Sequence, residues 1–406
     1  MNNKKICSVP WKEAWLNPEL KYGLCCKEDQ SIVNHSDSQK ISLDQHWRKA
    51  SMVDIRKRFV DGQPVPECNL CWNQEDNGKE SMRMRRNIRY IGHSEANDDD
   101  IKLFRNNLQS LELLAGINLS VGNQCQLRCI SCNPSYSRNI KKDYEKMNWS
   151  MHDKTRFDSK NSSNASHTLS EKNIVELKKI TPTLRWIALA GGEPTLSQTI
   201  KNYLKWCIDK QYNKNISLVI TTNGVNVKTE FVDIMRQFQN VMLTISVDGH
   251  GELDEYLRWP GDWDKKIEFI KNCQNIFDNL DIHTVVYGLN CLAVDRLIES
   301  VHQLGIRHNL ECLQWPNSLS IDNMPHDLKQ LALKKISSIV HHIEGNLHHY
   351  KNAQYGVHTV NSIRALMSKL EMPGSPELWG RTTAIIRSYD TIRPKKLSQI
   401  IPDMYY

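Results

Sequence analysis

The chain has 406 residues, of which 24% are charged and 39% are hydrophobic, a composition typical of a soluble globular protein with two domains or one elaborated barrel. No stretch approaches the ~20 apolar residues of a membrane span, and the start, MNNKKICSVPWKEAW, has no apolar run after its lysines. We therefore expect a cytoplasmic protein without a membrane partner, whose net charge of +7 permits an acidic partner but does not require one.

The cysteines are the first unusual feature of the sequence. Twelve are present, and a disulfide framework is not expected because cytosolic reductants keep thiols reduced. Five lie in residues 1–115, where no strand–helix rhythm is visible: Cys7, Cys25, Cys26, Cys68 and Cys71. This region is predicted to be a small metal-stapled module with a linker. Four others are isolated and are expected to be small core residues: Cys207, Cys273, Cys291 and Cys312.

A regular rhythm begins at Ile117, where short β-branched runs end in polar or glycine-rich turns and alternate with helix-like segments. The runs are INLSVGNQC (117–125), LRWIALAGGEP (184–194), ISLVITTNG (216–224), VMLTISVDG (241–249), DIHTVVYGLN (281–290) and RHNLECLQWP (307–316). Six β/α units in succession predict a parallel sheet with right-handed crossovers that curls toward a barrel. The predicted fold is therefore α/β, with a partial (β/α)6 TIM-like barrel over residues 116–320.

Two further segments are distinguished by composition. MHDKTRFDSKNSSNASHTLSE (151–171) is predicted to be a long loop or mobile insertion, and Thr168 and Glu171 near its end form a capping-box pattern. Residues 321–406 are predicted to be a helical C-terminal extension. Its paired histidines could ligate a metal, but their spacing favours a solvated helical face: His341, His342, His348 and His349.

Three thiols follow the first predicted strand in the stretch NQCQLRCISCNPS: Cys125, Cys129 and Cys132. A cysteine-ligated iron–sulfur cluster uses four thiolates, so three would leave one iron open to a substrate or cofactor. The stretch also lies where the loops after barrel strands build active sites. The alternative is a structural zinc site with a fourth ligand from elsewhere, because zinc is also held by four cysteines or by three cysteines and a histidine.

The end of the second predicted strand, ALAGGEPTLSQ, contains a glycine pair. Gly191 and Gly192 would let a ligand approach the backbone closely and would leave amides and carbonyls free to hold a charged group. The pair favours the iron interpretation over the zinc interpretation, because it adds a ligand-binding turn beside the three thiols.

The order of these motifs, C-x3-C-x2-C after the first strand and GGEP after the second, resembles the radical S-adenosylmethionine (radical SAM) enzymes over roughly residues 115–320. The resemblance extends to TTNG (221–224) and SVDGHGELDEYLR (246–258). It implies that Cys125, Cys129 and Cys132 hold a [4Fe-4S] cluster whose open iron is chelated by S-adenosyl-L-methionine. It also implies reductive cleavage of this cofactor to methionine and a 5'-deoxyadenosyl radical that abstracts hydrogen from a substrate.

The resemblance implies cofactor contacts at six further positions: Gly191, Gly192, Glu193, Ser246, Asp248 and Arg258. The first three would bind the amino group, and the next two would lie near the ribose or the carboxylate. The arginine would pair with the carboxylate, which suits a bidentate guanidinium. The alternative for Arg258 is an ordinary surface helix residue. Asn290, at the end of the fifth strand, is a further candidate, and no catalytic residue is assigned.

The amino-terminal region carries a second resemblance. CSVPWKEAWLNPELKYGLCC (7–26) followed by PECNLCW (66–72) looks like the twitch module, a shortened SPASM domain that binds an auxiliary iron–sulfur cluster. Such modules usually follow the barrel, and Leu20 stands where the pattern has a glycine. The likeness implies that the ligands are Cys7, Cys25, Cys68 and Cys71. Cys26 is then a packing residue or a spare ligand. The alternative is a zinc ribbon, although only one pair has C-x2-C spacing.

Two classes of function follow from these patterns. The first is a radical SAM enzyme with a reductant such as flavodoxin or ferredoxin and with an unassigned substrate, because related enzymes act on a peptide or protein in many cases and on small molecules in others. The second is a zinc-stabilised nucleic-acid or protein-binding module on a barrel scaffold. The motif set favours the enzyme, because a binding module does not need a glycine pair beside three thiols. Nucleic acid is not an expected partner, since basic stretches with aromatics are short, as in MRMRRNIRY.

Overall fold

The computed structural model describes residues 5–28, 35–76, 78, 80–147, 167–314 and 316–404, so most of the predicted insertion at 151–171 lies outside the described residues. Within these ranges one sheet has the strand order β3-β2-β1-β4-β5-β6-β7-β8-β9. The strands are β1 (Glu13–Leu16), β2 (Lys21–Gly23), β3 (Ser36–Asp37), β4 (Gly116–Ser120), β5 (Trp186–Ala190), β6 (Ser217–Thr222), β7 (Asn240–Ser246), β8 (Asn279–Val286) and β9 (Arg307–Cys312).

The runs predicted from the sequence are the strands β4 to β9, and each pairs in parallel with the next. Buried and partly exposed side chains alternate along β8, because successive side chains point to opposite faces of the sheet. Leu280 and Ile282 of the buried face join the main hydrophobic core beneath the helices. The parallel α/β sheet is confirmed and is consistent with a partial TIM-like barrel.

The amino-terminal region contributes to this sheet, which the sequence did not predict. β1 pairs in parallel with β4, with Trp15 opposite Asn118, and β2 and β3 continue the sheet in antiparallel pairs. The helices that follow surround a separate small core, in which Trp11 stacks on Phe104 with ring centroids 4.6 Å apart. The region is therefore an extension of the barrel sheet joined to a small helical core, and a self-contained Cys-rich module is not confirmed.

Helices cover the outer face of the sheet and follow β9. In the described part of the chain, no helix is both long and apolar enough to cross a bilayer. The α-helices there are Val9–Lys12, Leu43–Trp47, Ala50–Val60, Asn69–Asp76, Met82–Ile91, Asp98–Asn106, Lys141–Met147, Glu171–Ile180, Gln198–Asp209, Thr229–Met235, Glu252–Leu257, Trp263–Gln274, Val294–Gln303, His326–Gly345, Ala353–Glu371, Pro376–Asp390 and Leu397–Ile400.

The N-cap of the helix Glu171–Ile180 lies two residues after the predicted N-cap residue, Thr168. Ser170 is its N-cap residue and forms a reciprocal capping box with Asn173, so the predicted pairing of Thr168 with Glu171 is wrong. Asn173 also donates a hydrogen bond to the Ser38 hydroxyl at 2.9 Å. This contact with the segment after β3 ties the helix to the amino-terminal region, and the local sequence pattern does not contain it.

The residues after β9 form a second hydrophobic core with the β8 and β9 side of the sheet. The helices His326–Gly345 and Ala353–Glu371 supply much of it, so the predicted helical character is confirmed. The four paired histidines are exposed, as predicted. His342 and His349 lie against His302, with ring centroids 5.4 Å and 5.2 Å from it.

Candidate functional site

The three cysteines after β4 lie side by side in irregular backbone. Cys125, Cys129 and Cys132 share one small cluster with Leu127 and Val225. Burial and the neighbouring Cys129 raise the pKa of the Cys125 thiol to about 12. Burial and both neighbours also raise the pKa of Cys132. The thiols are therefore protonated when no metal is bound, and metal binding would release these protons.

Hydrogen bonds fix the backbone of the cysteine loop, which we define as residues 121–135. Asn139 donates from its side chain to the carbonyl of Cys125 at 2.6 Å. The N–H of Arg128 donates to the carbonyl of Trp259 at 2.6 Å. The loop is thus braced both by the segment that follows it and by the turn after the helix Glu252–Leu257, so the positions of the thiols depend on distant parts of the chain.

The GGEP turn after β5 is docked on the cysteine loop. The N–H groups of Gly192 and Glu193 donate to the carbonyls of Gly122 and Gln124, each at 2.8 Å. A Cβ atom at Gly192 would collide with the Gln124 carbonyl, and Gly191 has a φ of +112° that side chains disfavour. The predicted free amides are therefore used inside the protein, because the two glycines allow one backbone to approach the other.

Glu193 links the GGEP turn to the turn after β6. Its carboxylate accepts hydrogen bonds from the hydroxyls of Thr195 and Thr222, both at 2.7 Å, and from the N–H of Asn223 at 2.8 Å. Burial raises the pKa of this carboxyl, and the hydrogen bonds oppose that rise. The side chain is 1% exposed, so Glu193 holds two strand-end turns in register.

Asp248 and Arg258 form a buried pair next to the cysteines. Arg258 donates to Asp248 at 2.8 Å, and Asp248 also accepts from the N–H of Val285 at 3.0 Å. Burial opposes the charge of Arg258, but Cys129 and Asp248 outweigh it and raise its pKa. The side chain is 11% exposed, so the surface interpretation of Arg258 is wrong. Its Nε atom is buried and has no hydrogen-bond partner within the described residues.

Asn290 contacts Asp248 of this pair, and Ser246 precedes Asp248 by two residues. Ser246 ends β7 on the partly exposed face of the strand, and its carbonyl accepts from Lys266 at 3.5 Å. Asn290 is buried and donates to the carbonyls of Asp248 and Val285, both at 2.8 Å. Asn290 therefore supports the position of Asp248, whereas Ser246 lies on the face of β7 opposite the main core.

The amino-terminal thiols also come together. Four of them are buried in the same small core: Cys7, Cys25, Cys68 and Cys71. Burial raises the pKa of Cys7 to about 12, and Cys25 has Cys26, Cys68 and Cys7 as charge neighbours. Cys26 is only half-buried, and its strongest charge neighbours are Glu13 and Arg86. It therefore lies at the edge of the group and faces a different set of side chains.

Tyr136 has one thiol near each group, Cys132 and Cys26, as a charge neighbour. Burial, Cys132 and Cys26 together raise the pKa of its phenol to about 12. Among the described residues, no three or more His, Cys, Asp or Glu side chains are arranged to hold one metal ion. Geometry alone therefore assigns neither group to a single ion, whose ligands must converge on one point.

A polar chain on the partly exposed face of β8 and β9 was not singled out from the sequence. Lys27 contacts Glu311 at 3.4 Å, and Glu311 contacts His283 at 3.2 Å. The hydrogen bond from His283 lowers the pKa of Glu311 to about 2. The signal was present in DIHTVVYGLN and RHNLECLQWP, where polar residues occupy alternate positions and therefore share one face of each strand.

One family model matches the chain. Residues 119–301 match the model of the Radical SAM superfamily, and this segment contains the cysteine loop and the GGEP turn. The chain therefore contains a radical SAM domain. No curated protein sequence matches it significantly.

Several solved structures are similar. SuiB from Streptococcus suis, bound to S-adenosylmethionine, is 16% identical with a TM-score of 0.38, over 72% of this chain and 64% of that chain. The protein anSMEcpe with bound AdoMet is 15% identical with a TM-score of 0.42, over 58% of this chain and 62% of that chain. TsrM from Kitasatospora setae is a radical SAM methyltransferase with cobalamin and a [4Fe-4S] cluster bound. It is 12% identical with a TM-score of 0.36, over 49% of this chain and 36% of that chain. The chain thus covers less than two thirds of each, and all three are remote.

Proposed function

We propose that the protein is a radical SAM enzyme in which Cys125, Cys129 and Cys132 hold a [4Fe-4S] cluster. The observation that carries the proposal is the grouping of these thiols inside the matched segment, after β4, with the GGEP turn docked on them. The bound cluster and S-adenosyl-L-methionine would supply methionine and a 5'-deoxyadenosyl radical that abstracts hydrogen from a substrate. The protein itself has to position both cofactor and substrate.

Two orphaned polar atoms support a cofactor site beside the thiols. The Nε of Arg258 and the Oγ of Ser120 are buried without hydrogen-bond partners among the described residues. Such atoms cost free energy unless a ligand satisfies them. Arg258 would bind the cofactor carboxylate while Asp248 holds the guanidinium in place.

The remaining proposed contacts follow from the resemblance. Gly191, Gly192 and Glu193 would face the amino group, and Ser246 and Asp248 would lie near the ribose or the carboxylate. In this arrangement the glycines act by bringing the GGEP turn onto the cysteine loop, and Glu193 acts by holding the turn after β6.

The auxiliary cluster belongs to the same proposal. Cys7, Cys25, Cys68 and Cys71 would hold a second iron–sulfur cluster, and their burial in one small core supports this. We further propose a peptide or protein substrate, the class on which enzymes with twitch or SPASM modules often act, and a flavodoxin or ferredoxin as reductant. The partly exposed interior of the barrel, with Lys27, His283 and Glu311, offers polar groups to such a substrate.

The test is cofactor cleavage by protein that has been reconstituted anaerobically with iron and sulfide. With dithionite and S-adenosyl-L-methionine, the wild type should form 5'-deoxyadenosine, and the triple variant C125A/C129A/C132A should form none above background. Cys312→Ala is the matched control, because this half-buried cysteine on β9 lies outside both thiol groups. Unchanged turnover in the triple variant would contradict the proposal. Bound zinc with no turnover in the wild type would instead support the binding-module alternative.

A further inference from the structure

A cavity lies at the end of the barrel opposite the thiols. Its volume is about 380 Å³, and it opens beside the first residues of three neighbouring strands, Trp186, Ser217 and Asn240. These residues are paired with one another across the sheet, Trp186 with Ser217 and Ser217 with Asn240. Met242 of β7 also lines the cavity, so the cavity is the amino-terminal mouth of the barrel.

Three cationic side chains line this mouth: Lys12, Arg89 and Arg185. The lining contains no carboxylate. Within the described residues, none of the three cations forms an ion pair. The nearby Glu13 is already bound to Arg86 at 2.9 Å and to the Tyr90 hydroxyl at 3.3 Å. The mouth therefore carries three positive charges outside any direct ion pair, with Asp100 acting on Lys12 and Glu13 on Arg89 only at longer range.

The aromatic floor of the mouth is held rigidly. Trp186 donates from its indole nitrogen to Tyr90, and Arg86 and Arg89 lie over its ring at 4.6 Å and 5.1 Å. A Cβ atom at Gly116 would collide with this indole, so the glycine is what allows the ring to occupy its place. The cavity is thus formed before any ligand arrives, which reduces the entropy lost on binding.

Charge and size together identify the ligand class. Burial lowers the pKa of the half-buried Lys12, whereas the side chains of Arg89 and Arg185 are exposed. Three positive charges around one cavity attract an anion, and a cavity of about 380 Å³ is within the range of small-molecule sites. We propose that the amino-terminal mouth of the barrel binds a small molecule that carries two or three phosphate or carboxylate charges. This site is separate from the proposed radical SAM site and does not depend on it.

The proposal can be tested by isothermal titration of the full-length protein with two probes, pyrophosphate and citrate. Saturable binding of one or both is expected, and the stronger probe identifies phosphate or carboxylate as the preferred group. The double variant R89A/R185A should weaken that binding at least about tenfold, because charge-assisted hydrogen bonds are lost. Arg236→Ala is the control, since Arg236 is an exposed arginine outside the lining.

Arg185→Glu provides a second test, because this exposed side chain can be reversed in charge without disturbing the packing around Trp186. It should weaken binding by at least about tenfold while circular dichroism stays unchanged. The absence of saturable binding of both probes would overturn the proposal. Equal loss in the Arg236→Ala control would also overturn it, since binding would then reflect surface charge alone.

Discussion

Gly192 is the residue on which the contact between the GGEP turn and the cysteine loop depends. Its missing side chain leaves room for the Gln124 carbonyl, and that carbonyl accepts the N–H of Glu193 at 2.8 Å. Backbone atoms cannot move aside as the end of a flexible side chain can. Any side chain at this position must therefore separate two loops that both belong to the proposed site.

We expect Gly192→Ala to lower the free energy of unfolding by about 1–3 kcal/mol, the usual cost of overpacking. Formation of 5'-deoxyadenosine should fall as well, because the turn no longer meets the cysteine loop. Denaturant unfolding and the cleavage assay would measure the two effects. Gly380→Ala is the control, because a Cβ there meets nothing within 4 Å inside a helix. It should be neutral or stabilise by up to ~1 kcal/mol, and equal stability of both variants would contradict the packing argument.

The burial of His308 makes the free energy of unfolding depend on pH. It is fully buried, its Nε2 lies 2.8 Å from the Thr284 hydroxyl, and burial lowers its pKa to about 3. The unfolded chain, with a pKa near 6.5, binds a proton that the folded protein does not. The contribution of the neutral, buried His308 to the free energy of unfolding is therefore complete above about pH 6.5. It is lost as the pH falls toward 3.

Replacing His308 by Gln should make the protein less sensitive to acid. Between about pH 6 and pH 4, the free energy of unfolding should fall less steeply in the variant, by up to roughly 1.4 kcal/mol per pH unit. Urea unfolding at several pH values would measure the slope, which is independent of any uniform packing loss. His341→Gln alters an exposed histidine and should leave the slope unchanged. Parallel slopes for wild type and His308→Gln would show that the buried histidine is not the cause.

The sequence motifs indicated candidate site residues but not the partners of those residues. Local motifs brought Gly191, Glu193 and Arg258 to attention as site residues. Their hydrogen bonds join segments distant in sequence, such as Glu193 with the turn after β6. The burial of Arg258 depends on its pairing with Asp248, which no local pattern contains. Side-chain partners of this kind are set by tertiary packing, so a single sequence does not reveal them.

At the level of elements, the predictable strands were those with long β-branched runs. β6 and β7 have this character, with one face in the main core. β1 reads EAWL, a short run without a turn signal or alternation, and its place in the sheet comes from pairing with β4 far along the chain. The sequence therefore suggested a separate amino-terminal module where the structure has an extension of the sheet.

The turn after β2 carries two adjacent cysteines that should differ in function. Cys25 is buried with Cys7 and Cys68 as charge neighbours, whereas Cys26 lies 3.7 Å from the Met82 sulfur and near Glu13. In a C125A/C129A/C132A background, about four irons should remain if the auxiliary cluster is of the four-iron type. Adding Cys25→Ala should remove most of them, and adding Cys26→Ala should not. Iron analysis would show the reverse if Cys26 were the ligand, and zinc in every variant would eliminate the auxiliary cluster.

At the scale of the whole molecule, the carboxyl-terminal segment reaches back to the cysteine loop. Arg393 and Asp143 form an ion pair at 2.9 Å, with side chains 0% and 1% exposed. Asp143 also pairs with Arg128 of the cysteine loop at 2.7 Å, and Arg393 donates to the Arg128 carbonyl at 3.2 Å. The loop that carries the three thiols is therefore held by a residue from the far end of the chain.

Replacing Arg393 by Met should test this connection. Asp143 would keep one cationic partner but lose the buried one, so the free energy of unfolding should fall by about 3 kcal/mol, the lower end for a broken buried pair. The reconstituted variant should also release iron to a chelator faster than the wild type, because the loop loses its brace. Arg48→Met is the control, since the Arg48–Asp44 pair is half-exposed and contributes at most about 1 kcal/mol. If Arg393→Met were destabilised but released iron at the wild-type rate, Arg393 would support only the fold and not the cysteine loop.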